Sequence, residues 1–212
     1  MAMVFLILFI LVSIVHLLAA FFEKGKLRKI TKVFLMPLLL AYYIPAAGTL
    51  HITVILATVF GWLGDVFLLN IEKQIRFKLG LTSFLLGHLC YIPSFIRFAG
   101  HFNIPALIIS YLMAIPLEII IVRMIKPTKE MLIPVALYAL VILNMSIYAL
   151  QLMLSHMSPW SVMVFAGSLC FICSDTILAF FTFREKPKRG DFFIMLTYIS
   201  AQALIVTALA HI

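Results

Sequence analysis

Five of the eight acidic residues, Glu23, Glu72, Glu130, Glu185 and Asp191, stand among lysines and arginines, where a charge costs little. The other three, Asp65, Glu118 and Asp175, interrupt long apolar runs. An ionisable group at the centre of a membrane span costs about 2.5–3.5 kcal/mol even on lenient insertion scales, so a retained one marks a functional site by default. Two carboxyls held close together in a medium of low dielectric share a proton, because both cannot cheaply ionise. One is then an acid and the other a carboxylate, the pairing that glycosidases use on an oxocarbenium-like transition state. His88, in the apolar run between Leu79 and Phe98, is the imidazole placed to join them. Each has a plainer alternative. Asp65 is a packing acid if it bonds Trp62 or a backbone carbonyl, and Asp175 is one if it pairs with His88 for structure alone. Glu118 follows Pro116 and can snorkel toward Arg123. His88 is equally readable as a satisfied core histidine.

The elements that must position these groups are membrane helices. Of 212 residues, 65% are hydrophobic and 11% charged, with a mean hydropathy of +1.18, against about 25% charged in soluble domains. A crossing helix needs roughly 20 apolar residues. The charge punctuation predicts eight of them near Ala2–Phe22, Val33–Ala47, Leu50–Asn70, Leu79–Phe98, Ile104–Ile125, Met131–Leu154, Pro159–Phe183 and Phe192–Ala210, with the second able to begin nearer Leu27. The fold class is therefore an all-α polytopic membrane protein, residues 1–212 forming a single integral-membrane domain. The first span lacks the basic leader of a signal peptide and runs into Lys24, Lys26, Arg28 and Lys29, so it is read as retained.

Fifteen of the 16 lysines and arginines fall in alternate loops, and only Arg97 falls on the other side. By the positive-inside rule both chain ends lie outside the cytoplasm, an N-out/C-out topology. The net charge of +8 is thus a topological signal directed at the lipid surface, and no nucleic acid is expected as a partner. Asp65 lies five residues before Asn70 and Asp175 eight before Phe183. At about 1.5 Å per residue both sit roughly 7–12 Å from the cytoplasmic ends of their helices, with Glu118 at similar depth. Gly64-Asp65-Val66-Phe67-Leu68 and Ser174-Asp175-Thr176-Ile177-Leu178 echo one another on spans three and seven. A four-plus-four repeat would place both acids across a pseudo-two-fold axis.

Metal chemistry finds little to use. The six histidines, at 16, 51, 88, 101, 156 and 211, include no pair three or four residues apart, the spacing that puts two imidazoles on one helix face for zinc. Cys170 and Cys173 form a lone C-x-x-C inside an apolar helix, which reads as two packed thiols. No metal and no cofactor is expected.

Several stretches resemble the YhhN family of lysoplasmalogenases, in the same order along the chain from Pro37 to the C-terminus. Gly61-Trp62-Leu63-Gly64-Asp65 with Leu68 looks like that family's glycine–aspartate motif, and Phe84, Gly87-His88 and Tyr91 like its F-x-x-G-H-x-x-Y stretch. Pro134, Tyr138 and Met145 fit the sixth span. Gly167, Ser174-Asp175 and Leu178-Ala179 fit the seventh, and Tyr198 with Ala201-Gln202 the eighth. Met36 precedes Pro37 where the family pattern has a basic residue, and Lys32, one turn earlier, is the substitute for that headgroup contact. The resemblance implies an integral-membrane hydrolase that cleaves the vinyl ether of lysoplasmalogens into a fatty aldehyde and a glycerophospho-ethanolamine or -choline, in a bacterial cytoplasmic (inner) membrane. Its substrate partner is a lysophospholipid. Asp65 and Asp175 are then the catalytic pair, with either able to be the acid, while His88, Tyr91, Tyr138, Ser174, Tyr198, Gln202, Lys32 and Glu118 contact substrate. A proton-coupled transporter, with the buried acids as its relay, is the alternative of a different class.

Overall fold

The computed structural model describes residues 1–70, 74–184 and 187–212, and Glu72, Lys73, Glu185 and Lys186 lie outside these described residues. The described chain is eight α-helices. They are α1 (Ala2–Phe21), α2 (Gly25–Ala46), α3 (Ile52–Phe67), α4 (Gln74–Ala99), α5 (Ile104–Ile125), α6 (Lys129–His156), α7 (Pro159–Phe183) and α8 (Gly190–Leu209). Seven are long and apolar enough to cross a membrane. The shorter α3 continues into a 3-10 turn, Leu68–Asn70. Helices are what such a composition permits, since a span in hydrocarbon must satisfy its own backbone groups. Their ends carry recognisable stops. Ser158 and Ser161 form a capping box at the start of α7, with Pro159 at its first position, and Asn103 caps α5 by accepting from Ala106 N. Lys126 and Met157 close α5 and α6 in left-handed conformations.

The helices pack as hairpins, α1 on α2, α3 on α4 and α7 on α8. The second and third hairpins are joined through α6, which lies against both α4 and α7. Close approach rests on small residues, as is usual between membrane helices. A Cβ on Gly87 would stand 3.2 Å from Ala57 O of α3, and one on Gly167 would stand 2.7 Å from Ile205 Cγ1 of α8. The core threads the middle of the bundle through Tyr43, Ala57, Tyr91, Phe95, Met145, Phe171 and Ile205. In contrast, α5 packs at the edge against α6 and α7 and turns Ile108, Leu112, Met113 and Ile120 outward, a face suited to lipid.

Two boundaries differ from the sequence expectation by more than a few residues. Helix α2 begins at Gly25 rather than Val33, and α4 begins at Gln74 rather than Leu79. Lys26, Arg28, Lys29 and Lys32, and likewise Arg76 and Lys78, are therefore helical residues and not loop residues. Hydropathy marks where a helix becomes apolar. It does not mark where it starts, and long basic side chains let a helix project past the hydrocarbon. Trp62 does not serve Asp65, because its Nε1 donates to Val33 O at 3.0 Å and ties α3 to α2.

Candidate active site

The early start of α2 matters because it aims basic side chains at the last turn of α3. Lys32 Nζ lies 3.3 Å from Asp65 Oδ1, with the carboxylate side chain only 2% exposed. From α8, the Tyr198 hydroxyl donates to Asp65 Oδ2 at 2.9 Å. Gly61, one turn before Asp65, admits these α8 groups. A Cβ there would stand 3.0 Å from Gln202 Nε2 and 3.5 Å from the Tyr198 hydroxyl. Behind them Tyr91 donates to Gln202 Oε1 at 2.7 Å, and both side chains are buried.

Asp175, on α7, is met by a phenol and an imidazole. Tyr138 of α6 donates its hydroxyl proton to Asp175 Oδ2. His88 Nε2 of α4 lies 3.0 Å from the Tyr138 oxygen and 3.3 Å from the same Oδ2. The phenol proton is already given to Asp175, so the imidazole must donate to this pair of oxygens. The Asp175 side chain is 16% exposed, and both contacts fall on one oxygen. Ser174 donates to Ile194 O at 3.2 Å, which staples α7 to α8 beside it.

Both aspartates line one cavity of about 70 Å³, together with Lys32, Ser174 and Tyr198. Arg28 and Lys29 continue the basic face of α2 to its mouth, where Arg28 pairs with Asp191 at the start of α8. A second cavity of about 40 Å³ lies between the 3-10 turn after α3 and helices α4, α6 and α7, and is almost wholly apolar, with Phe77, Leu81, Val135 and Ala179 in its wall. The two cavities share Leu68, Phe84, Asp175 and Leu178.

Of the residues expected to contact substrate, Lys32, Ser174 and Tyr198 line the first cavity and Tyr138 the second, whereas His88, Tyr91 and Gln202 stand behind them. Glu118 is not brought to this site. It lies half-buried on α5, lines neither cavity, and takes no hydrogen-bond or ion-pair partner among the described residues. Sequence reasoning missed Arg28, Lys29 and Asp191 at the mouth. Arg28 and Lys32 are four residues apart and Lys29 three from Lys32, one helix face by spacing, but that signal is usable only once the segment is known to be helical. Among the described residues, no group of three His, Cys, Asp or Glu side chains is arranged to hold a metal ion.

A bundle of apolar helices closed around two in-span carboxyls, with a basic mouth at one end, defines an integral α-helical membrane protein with a polar site inside it. The chain belongs to the YhhN family, whose model matches residues 27–209. The match takes in almost all of α2 through α8 and every residue lining the two cavities except His16, and leaves α1 outside. Comparison with curated proteins and with solved structures gave no significant match.

Proposed function

We propose that this protein hydrolyses the vinyl ether bond of lysoplasmalogens, releasing a fatty aldehyde and a glycerophospho-base. The observation that carries the reading is that two carboxyls from different helices line one cavity whose mouth is cationic and whose extension is apolar. A vinyl ether is cleaved when an acid protonates the alkene carbon distal to oxygen, leaving an oxocarbenium ion. Water adds to the carbon bearing the oxygen, and a carboxylate takes the proton that water loses. As the resulting hemiacetal breaks its bond to the glycerol oxygen, the carboxyl that took the water proton gives it to that oxygen, the hemiacetal hydroxyl returns a proton to the carboxylate left by the first acid, and the aldehyde departs. One water is consumed, and the two carboxyls end as they began. An amphiphile with a zwitterionic headgroup meets the basic mouth by charge, and its chain enters the apolar extension. By the positive-inside rule this mouth faces the cytoplasm.

The test is aldehyde release by the purified protein, reconstituted in lipid, from 1-alkenyl glycerophosphoethanolamine. The expected result is stoichiometric aldehyde and glycerophosphoethanolamine, with the saturated 1-alkyl ether uncleaved because it offers no alkene carbon to protonate. A protein that leaves the alkenyl lipid intact, yet moves protons across the vesicle membrane with a solute, would overturn the reading and make the acids a relay.

A further inference from the structure

Two carboxyls serving one reaction must divide its labour, and the two cavities distinguish them. Asp65 lines only the polar cavity. Asp175 lines both, and it is the one polar residue among the four they share. We infer that the substrate lies across Asp175, with its phosphate-bearing end at Arg28 and Lys29 and its alkenyl chain in the apolar cavity, and that Asp175 is the proton donor while Asp65 is the carboxylate. This rests on the vinyl ether hydrolysis proposed above.

The order of atoms in the substrate requires this order of carboxyls. Along a lysoplasmalogen the sequence is phosphate, glycerol oxygen, the carbon that water attacks, the carbon that is protonated, then the chain. The acid must therefore stand on the chain side and the water-activating carboxylate on the headgroup side. Hydrogen bonding agrees. Both contacts to Asp175 converge on Oδ2, which is the pattern of a carbonyl oxygen, and Oδ1 is left to carry the proton. Asp65 receives the opposite treatment, with an ammonium on one oxygen and a phenol proton on the other, so both its oxygens are acceptors. At the mouth, a phosphate takes over Arg28 from Asp191 and gains Lys29, which is exposed.

The placement makes Ala179, half-buried in the wall of the apolar cavity, a determinant of chain length. With the reconstituted protein, Ala179→Phe should lower kcat/KM for an 18-carbon alkenyl lysolipid by about tenfold or more, the scale on which apolar pockets discriminate. It should leave a 6-carbon homologue within about twofold. Arg28→Gln should raise KM for both phosphate-bearing homologues and leave a headless 1-alkenylglycerol untouched. Equal loss on both chain lengths, or on substrates with and without phosphate, overturns the placement. The division of labour has its own readout. Formate, almost wholly ionised at neutral pH, accepts a proton but does not donate one, so it should restore Asp65→Ala and leave Asp175→Ala inactive. Formate rescue of Asp175→Ala instead would reverse the assignment. Wild-type protein that releases no aldehyde from any alkenyl lipid would sink the reaction itself, which separates that failure from a failure of the placement alone.

Discussion

The two aspartates occupy matching places and are treated oppositely. Asp65 is sealed at the end of α3, 2% exposed, against an ammonium from α2 and a phenol from α8. Asp175 sits in α7, 16% exposed, against a phenol from α6 and an imidazole from α4. The scaffolding is parallel. Asp65 and Asp175 are 110 residues apart, and so are His88 and Tyr198, yet each aspartate takes its partner from the other half of the chain. A four-plus-four repeat would carry one contact onto the other across a two-fold axis between the halves. The third partner breaks the symmetry. Where α2 gives Asp65 a charge, α6 gives Asp175 a hydroxyl. Two carboxyls with partners at the same sequence offset thus become unlike through one further neighbour each, and acid–base chemistry requires that unlikeness.

The largest effects come from removing either carboxyl. Asp65→Asn and Asp175→Asn keep shape and hydrogen bonding but can neither carry the charge nor supply the acidic proton. Each should cut aldehyde release by about 10²–10⁴-fold, the usual worth of general acid–base catalysis, in protein that still elutes as a folded species. A variant that keeps more than about a tenth of the wild-type rate would remove that residue from the chemistry.

Next comes the element that breaks the symmetry. Lys32→Met strands a buried carboxylate, and breaking a buried pair by deleting one partner costs about 3–5 kcal/mol. The variant should unfold at a clearly lower temperature in a thermal melt. Adding Asp65→Asn should recover most of that loss, since a neutral amide needs no counter-ion. A melt unchanged by Lys32→Met would show that the pair contributes nothing to Asp65. The smallest effect is expected at Glu118, which has no partner at the site. Glu118→Gln should leave stability within about 0.5 kcal/mol, as for substitutions away from such features, and aldehyde release close to wild type.

Much of this was legible in the residues and some was not. A charge in an apolar run is costly, so Asp65 and Asp175 stand out in the sequence, and the helices that carry them follow from run lengths. Glu118 satisfied the same criterion and still lies apart, because depth along a helix says nothing about which way the helix faces, and α5 packs at the edge of the bundle. Lys32 could be suspected as a headgroup contact, but its pairing with Asp65 depends on α2 starting eight residues earlier than its apolar run. Tyr91 and Gln202 carry polar atoms suited to substrate, yet their position behind Tyr198 is a matter of tertiary packing and not of pattern. The pairing of Asp175 with His88 is one the sequence offers, whereas that of Asp65 with Tyr198 lies at the same 110-residue offset, one helix beyond the Gly64-Asp65 and Ser174-Asp175 echo.

The central claim, that two unlike carboxyls act on one substrate as one unit, is tested most directly by the Asp65→Asn, Asp175→Asn double variant. Its rate of aldehyde release should be measured beside both single variants in the same lipid. Residues that act together give strongly non-additive losses, so the double variant should fall within about threefold of the worse single one. Losses that multiply, each substitution exacting its full factor whatever the other residue is, would mean that the aspartates work independently and would contradict the account.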